Sequence, residues 1–245
     1  MVSPIFFNSF QRGCKRYGRP MRKRFYVIER NPLDSEGSTE CLDFTDPPDI
    51  GYPGEAPRCE ACGAAIGLLP WQPPHRVELE VWGRVFGDIV AAPGRDFIIS
   101  EDLKSLVEGY GIKGLSGFDP VKVVRVIRRA GSIATDPPKY FRVSVVRSPT
   151  AIDLRASDVE MEGPVCPRCR TGRNLKRWKR VIIEPGTWSG DDVFEPRGLP
   201  VVLATERFRK MCRHHSISNA LFVPAEVHQH DYYPWEKKER LCDGT

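Results

Sequence analysis

No apolar run in the sequence approaches the roughly 20 residues that a membrane-spanning helix requires. There is no glycine-rich phosphate loop, no nucleophile elbow and no His-Glu zincin helix, so the common signatures of enzymatic chemistry are missing. Long helical patterns are few, so sheet must dominate. The opening "MVSPIFFNSFQRGCKRYGRP" is a poor secretory signal. Its apolar patch is short, its basic residues follow that patch, and no small-residue cleavage site comes after. The expectation is a cytoplasmic protein. Residues 1–20 also contain no acid. Their Arg12, Lys15, Arg16 and Arg19 carry four of the five net positive charges, and the remainder is near neutral. These residues read as a tail or as an upstream extension before a start at Met21, and residues 235–245 read as a C-terminal tail.

Hydrophobic residues make up 40% of the chain and charged residues 28%, a balance that suits a folded domain and not a disordered one. Its 245 residues can bury a real core. Eight cysteines are present: Cys14, Cys41, Cys59, Cys62, Cys166, Cys169, Cys212 and Cys242. In a reducing compartment two Cys-x-x-Cys pairs favour metal, and the four scattered cysteines read as free thiols.

The pairs are "RCEACG" and "VCPRC". Four thiolates, Cys59, Cys62, Cys166 and Cys169, suit a tetrahedral Zn2+ ion of structural type. The two-residue spacing lets one tight turn aim both sulfurs at one ion. A redox pair is the competing reading, but neither pair stands between a strand and a helix as a thioredoxin-like site does. About a hundred residues separate the knuckles, so the site is expected to be a clasp between two parts of the chain. His75 follows the first knuckle and reads as solvated, not as a ligand.

The chain repeats an order of motifs. "VWGRVFGDIV", "DFIISEDLKSLVEGYGIKGL" and "FDPVKVV" follow the first knuckle. "TWSGDDVF", "PVVLATERFRKMCRHHSISNAL" and "FVPAEVH" follow the second. Ser100 and Thr205 are helix N-caps by type, the acids after them suit the positive helix end, and Gly111 is a fitting stop. Strands are expected at "KRFYVIER", "RVELEVW", "FRVSVVR" and "RVIIE". Residues 31–58, rich in Pro, Asp, Glu and Ser, read as a long loop, and "TDPPKY" reads as a turn. The predicted fold is α+β, mainly antiparallel sheet with short helices. One domain would span 21–234, with related halves at about 59–125 and 166–228 joined by the zinc-ribbon-like clasp.

The order of "RFYVIE", "RCEACG", "GDIV", "ISEDL", "VCPRC", "WSGDDVF", "TERF" and "NALFVPAEV" resembles that of the bacterial double-CXXCG motif proteins. The resemblance spans Met21 to about Pro234. It implies membership of paralogous sets found in some predatory soil bacteria, some of whose members are immunity proteins that neutralise contact-delivered toxins of sibling cells. The second knuckle departs from the pattern, with Arg170 where glycine is expected.

Two functions follow as expectations. One is a zinc-stabilised binding protein, an immunity protein that neutralises a cognate bacterial toxin by direct contact. The alternative is a zinc-ribbon regulator that binds nucleic acid through "RCRTGRNLKRWKR". There Arg173, Lys176, Arg177 and Lys179 would follow phosphates and Trp178 would stack on a base. The same stretch also reads as a solvated basic face, or as a surface for an acidic toxin. No enzyme is expected: four cysteines close a zinc shell, whereas a catalytic zinc keeps an open position. Asp88, Glu101, Asp191, Asp192 and Glu206 fit turn and cap roles better than an acidic centre. His214 and His215 suit the end of a helix.

Overall fold

The computed structural model describes residues 23–30, 38–43, 55–92, 95–130 and 136–234. The expectations for residues 1–20 and 235–245, for Cys14 and for Cys242 lie outside the described residues. Up to residue 130 the chain forms β1 (Phe25–Arg30), β2 (Thr39–Asp43), β3 (Arg76–Trp82), β4 (Ile89–Ala91), β5 (Phe97–Ser100), α1 (Glu101–Gly109) and β6 (Leu115–Ala130). Beyond it the chain forms β7 (Tyr140–Ala151), β8 (Glu160–Glu162), β9 (Asn174–Trp178), β10 (Val193–Arg197), β11 (Leu203–Thr205), α2 (Glu206–His214), β12 (Ala220–Pro224) and β13 (His230–Asp231).

The main sheet runs β12-β1-β11-β10-β7-β6-β3-β2, and the β4–β5 hairpin joins it through β5 against β7. A small sheet runs β13-β9-β8. The pairs β3·β6 and β7·β10 are parallel, and the other named pairs are antiparallel. The fold is therefore α+β, with antiparallel pairing dominant and two short helices.

Strand alternation builds the layers, because neighbouring side chains point to opposite faces. Ile89, Ile99, Val193 and Ala204 face one way and pack with Leu103 and Val107 of α1 and Phe208 and Met211 of α2. Their neighbours face the other way. Val90 and Ile98 join Trp71, Val77 and Leu79, while Phe194 and Leu203 join Val27, Trp178 and Val201.

The two halves share the order strand, strand, helix, strand: β4-β5-α1-β6 and β10-β11-α2-β12. Their hydrogen bonds match as well. Ser100 Oγ accepts from Leu103 N–H (3.2 Å) and donates to Asp88 Oδ1 (2.6 Å). Thr205 Oγ1 accepts from Phe208 N–H (3.4 Å) and donates to Asp192 Oδ1 (2.9 Å). Past the helices, Ile112 N–H donates to Val107 O and Ile217 N–H to Cys212 O, both at 2.9 Å. Gly111 and Ser216 take positive φ there, 58° and 54°.

The halves also interlock. Asp88 Oδ2 accepts the backbone N–H of Ser218 (2.9 Å), and Asp192 Oδ2 accepts that of Lys113 (3.1 Å). Each aspartate thus holds the loop after the other half's helix. Strand β1 precedes the first half in the chain but pairs with β11 and β12, while β7 pairs with β5 and β6. Reciprocal contacts of this kind are what a two-fold interface produces.

Two local expectations are corrected. Residues 31–58 are not loop throughout, because Thr39–Asp43 forms β2 on the outer edge of β3. "RVIIE" is not a strand: it makes one isolated bridge, Ile183 with Ile152, and its other backbone N–H groups are divided between residues 151–157 and Ala225. Val181 N–H goes to Ala225 O, Ile182 N–H to Ser157 Oγ and Glu184 N–H to Ala151 O, while Ile182 O accepts Asp153 N–H.

Candidate metal centre

Each knuckle is a tight turn closed by its own backbone. Gly63 N–H donates to Cys59 O (2.8 Å) and Cys59 N–H to Ala64 O (2.8 Å). In the second knuckle Arg170 N–H donates to Cys166 O (2.8 Å) and Cys166 N–H to Thr171 O (3.1 Å). The turn needs a left-handed residue after its second cysteine. Gly63 supplies it at φ 72°, and Arg170 adopts it at φ 61° despite its side chain. The guanidinium of Arg170 donates to Ile152 O (3.1 Å) and pairs with Glu184, which anchors the strained residue.

The turns bring four sulfurs together. Cys59 and Cys166 Sγ lie 3.9 Å apart, Cys62 and Cys169 Sγ 3.7 Å apart, and all four fall within 4.8 Å of one another. A tetrahedron with metal–sulfur bonds of about 2.3 Å has edges of about 3.8 Å, so the donor set fits one metal ion. Cys59 and Cys169 are buried, Cys166 is half-buried and Cys62 is exposed. An ion pair between Glu60 and Arg168 ties the knuckles together outside the sulfurs, and Thr171 Oγ1 sits 2.8 Å from Cys169 Sγ.

The electrostatics call for a cation. Backbone N–H groups of Cys169 and Arg168 pull the Cys166 thiol down to about 6. The backbone N–H of Ala61 lowers Cys59 likewise. At Cys62 the Ala64 N–H also favours the thiolate. Burial and hydrogen bonds with Cys166, Cys59 and Cys169 outweigh it and push that thiol up to about 12. Without a cation, one sulfur of the cluster holds its proton as others lose theirs. A divalent metal lets all four be thiolates.

The basic stretch is not an open cationic face. Lys176 pairs with Glu162 (3.1 Å), Lys179 with Asp158 (2.6 Å), and Arg177 with Glu160 and with Asp231 at 4.0 Å. Arg173 is exposed. Trp178 is corrected from a stacking platform to a core residue. It is only 3% exposed, its Nε1 donates to His228 Nδ1 (3.1 Å), and it packs with Val181 and Leu203. His75 is also buried, against the Trp71 ring, instead of solvated. The sequence reading did not find the Asp88–Ser218 and Asp192–Lys113 latches. The repeated Gly-Asp or Asp-Asp before an apolar strand was their signal.

The remaining candidates are structural in their contacts. Glu101 pairs with Lys139 (3.1 Å), Glu206 with Arg209 (3.1 Å), and Asp191 accepts from Ser189 Oγ (2.5 Å). His215 caps α2 and meets Tyr110. Cys212 is a buried free thiol, pushed up to about 12 by burial and then by the Asp88 charge. Among the described residues no helix is long and apolar enough to cross a membrane. No protein-family model matches the chain, and no curated protein is similar to it in sequence.

Proposed function

We propose that the chain is a zinc-clasped binding protein that works by contact with a protein partner, and that the partner is a cognate bacterial toxin which it neutralises in the cytoplasm. The observation that carries the zinc reading is the four-sulfur cluster drawn from knuckles 107 residues apart. Four thiolates at tetrahedral spacing suit zinc and leave no protein-free position for a substrate. The ion would tie the halves together and hold the binding surface in shape. The toxin reading rests on the resemblance of the motif order to that of the double-CXXCG motif proteins, some of whose members are immunity proteins.

The nucleic-acid alternative loses support from the basic stretch, because a phosphate would have to displace Asp158, Glu160 and Glu162 from their ion pairs. The deciding experiment is protection. The protein is produced in a cell that also makes the toxin encoded beside its gene, and survival is scored. Survival together with co-purification of the two proteins supports the reading. Death at full expression of both overturns it, whatever metal the protein carries.

A further inference from the structure

The two knuckles close with the same backbone bonds but differ by one hydroxyl group. Cys59 N–H donates to Ala64 O, and Cys166 N–H donates to Thr171 O. Ala64 and Thr171 therefore hold the same position, two residues after the second cysteine. The side chain of Ala64 is a methyl group, whereas Thr171 Oγ1 lies 2.8 Å from Cys169 Sγ. Among the described residues that hydroxyl has no other partner. Once a metal takes the sulfur, Cys169 is a thiolate with no proton to give, so the hydroxyl donates and the sulfur accepts.

The four sulfurs also differ in what else answers their charge. A charge shut away from water needs hydrogen bonds from the protein. Cys59 is only 4% exposed and faces the backbone N–H groups of Ala61 and Cys62. Cys166, half-buried, faces those of Arg168 and Cys169. Cys62 faces that of Ala64 and is an exposed residue, within reach of water. Cys169 is the counterpart of Cys62 in the second knuckle, yet it is only 6% exposed. The side-chain donor thus stands at the member of this pair that water serves least.

We propose that Thr171 is a positioning residue of the metal centre: its hydroxyl holds the Cys169 thiolate on the ion, and the centre opens first at Cys62. The proposal rests on the zinc reading above and adds which ligand is fixed and which is labile. A donor outside the ligand shell fixes the direction of the ligand it bonds. It also occupies a sulfur lone pair that an electrophile would otherwise attack. Cys62 has no such side-chain donor, and reactivity of a thiolate follows its exposure.

The test uses the full chain loaded with zinc. Competition with a chromophoric chelator compares the zinc affinity of the parent with that of two variants. Thr171→Val keeps the shape and loses the hydroxyl, and it should weaken zinc binding about tenfold or more. Thr171→Ser keeps the hydroxyl and should restore most of that loss. With cobalt(II) in place of zinc, the thiolate-to-metal absorption band should shift in the valine variant and not in the serine variant. N-ethylmaleimide, added to the zinc-loaded parent below one equivalent and mapped by mass spectrometry, should mark Cys62 before the other three ligands. That labelling needs no variant, so it decides even where Thr171→Val does not fold. Equal zinc affinity in the parent and the valine variant overturns the proposal, as does a serine variant as weak as the valine one. Labelling of Cys169 ahead of Cys62 overturns it too. A parent that takes up neither zinc nor cobalt overturns the zinc reading itself, and this proposal with it.

Discussion

Tyr110 and His215 occupy the same position in the two halves, the C-cap of α1 and of α2, and their side chains meet: Tyr110 Oη lies 2.9 Å from His215 Nε2. Equivalent residues can touch only where the element relating them passes. The same holds for Cys59 with Cys166 and for Cys62 with Cys169. The sulfur cluster and the helix C-caps are therefore two places where corresponding positions of the two halves meet. A metal held by the four sulfurs would take one pair of ligands from each half.

The metal centre should contribute substantially to stability. A cross-link closing a loop of 107 residues removes about 4–5 kcal/mol of chain entropy from the unfolded state. Elemental analysis of the purified protein should find one zinc per chain. Chelation, or Cys59→Ser with Cys166→Ser, should lower Tm by about 10 °C or more in calorimetry. An unchanged Tm after complete metal removal would show that packing alone holds the halves together.

Arg170 stores backbone strain that its guanidinium offsets through Ile152 O and Glu184. Arg170→Gly relieves the left-handed backbone but drops those bonds. Arg170→Ala drops the bonds and keeps the strain. Urea denaturation should rank Ala below Gly by about 1 kcal/mol. The reverse order would mean that the turn tolerates a Cβ without cost.

His228 links stability to pH. The Trp178 indole donates to its Nδ1, which must therefore be unprotonated, so Nε2 carries the proton and donates to Glu29 (2.8 Å). Burial lowers its pKa from 6.5, against the raising effect of Glu29. The unfolded chain then binds the proton more readily than the folded one. This contribution is complete above about pH 6.5 and declines as pH falls below it, levelling off beneath the lowered folded value. Unfolding free energies measured between about pH 5 and pH 7 should show that slope. His228→Gln should flatten it, and an identical slope in that variant would assign the effect to other groups.

Nucleic-acid binding through the basic stretch should be feeble. Arg173→Ala, Lys176→Ala, Arg177→Ala and Lys179→Ala combined should leave the fold intact, at a cost of about 1–3 kcal/mol from surface ion pairs. Fluorescence anisotropy with single-stranded DNA should find only weak, salt-sensitive binding in the parent. The variant should show a shallower salt dependence, since each lost phosphate contact releases about one fewer counterion. Tight, sequence-dependent binding by the parent at physiological salt would restore the regulator reading.

Short-range chemistry was legible in the residues alone. A Cys-x-x-Cys turn is a local structure, so both knuckles could be read from their spacing. Ser100 and Thr205 cap the helices they precede, because a cap needs only the next three residues. Alternation marked β1, β3 and much of β7, since each strand carries its own period. The repeated order of motifs marked the two runs of strand, strand, helix, strand, β4-β5-α1-β6 and β10-β11-α2-β12.

Pairing was decided by the tertiary structure. Nothing near "RVIIE" says that its backbone N–H groups will be divided between residues 151–157 and Ala225, and nothing in residues 31–58 announces that Thr39–Asp43 will find the edge of β3. Trp178 looked exposed among its basic neighbours, yet a strand sends alternate residues to opposite faces, and the buried face at that point was set by His228 and Val201 from elsewhere in the chain. The cations beside it were neutralised by Asp158, Glu160 and Glu162, which lie on or next to β8 and reach them only when β8 pairs with β9. The pairing of β1 with β11 and β12, and the meeting of the four sulfurs, depend on contacts more than a hundred residues apart in the chain. Local propensity carries no information at that range, because closing such loops becomes favourable only when the whole core forms.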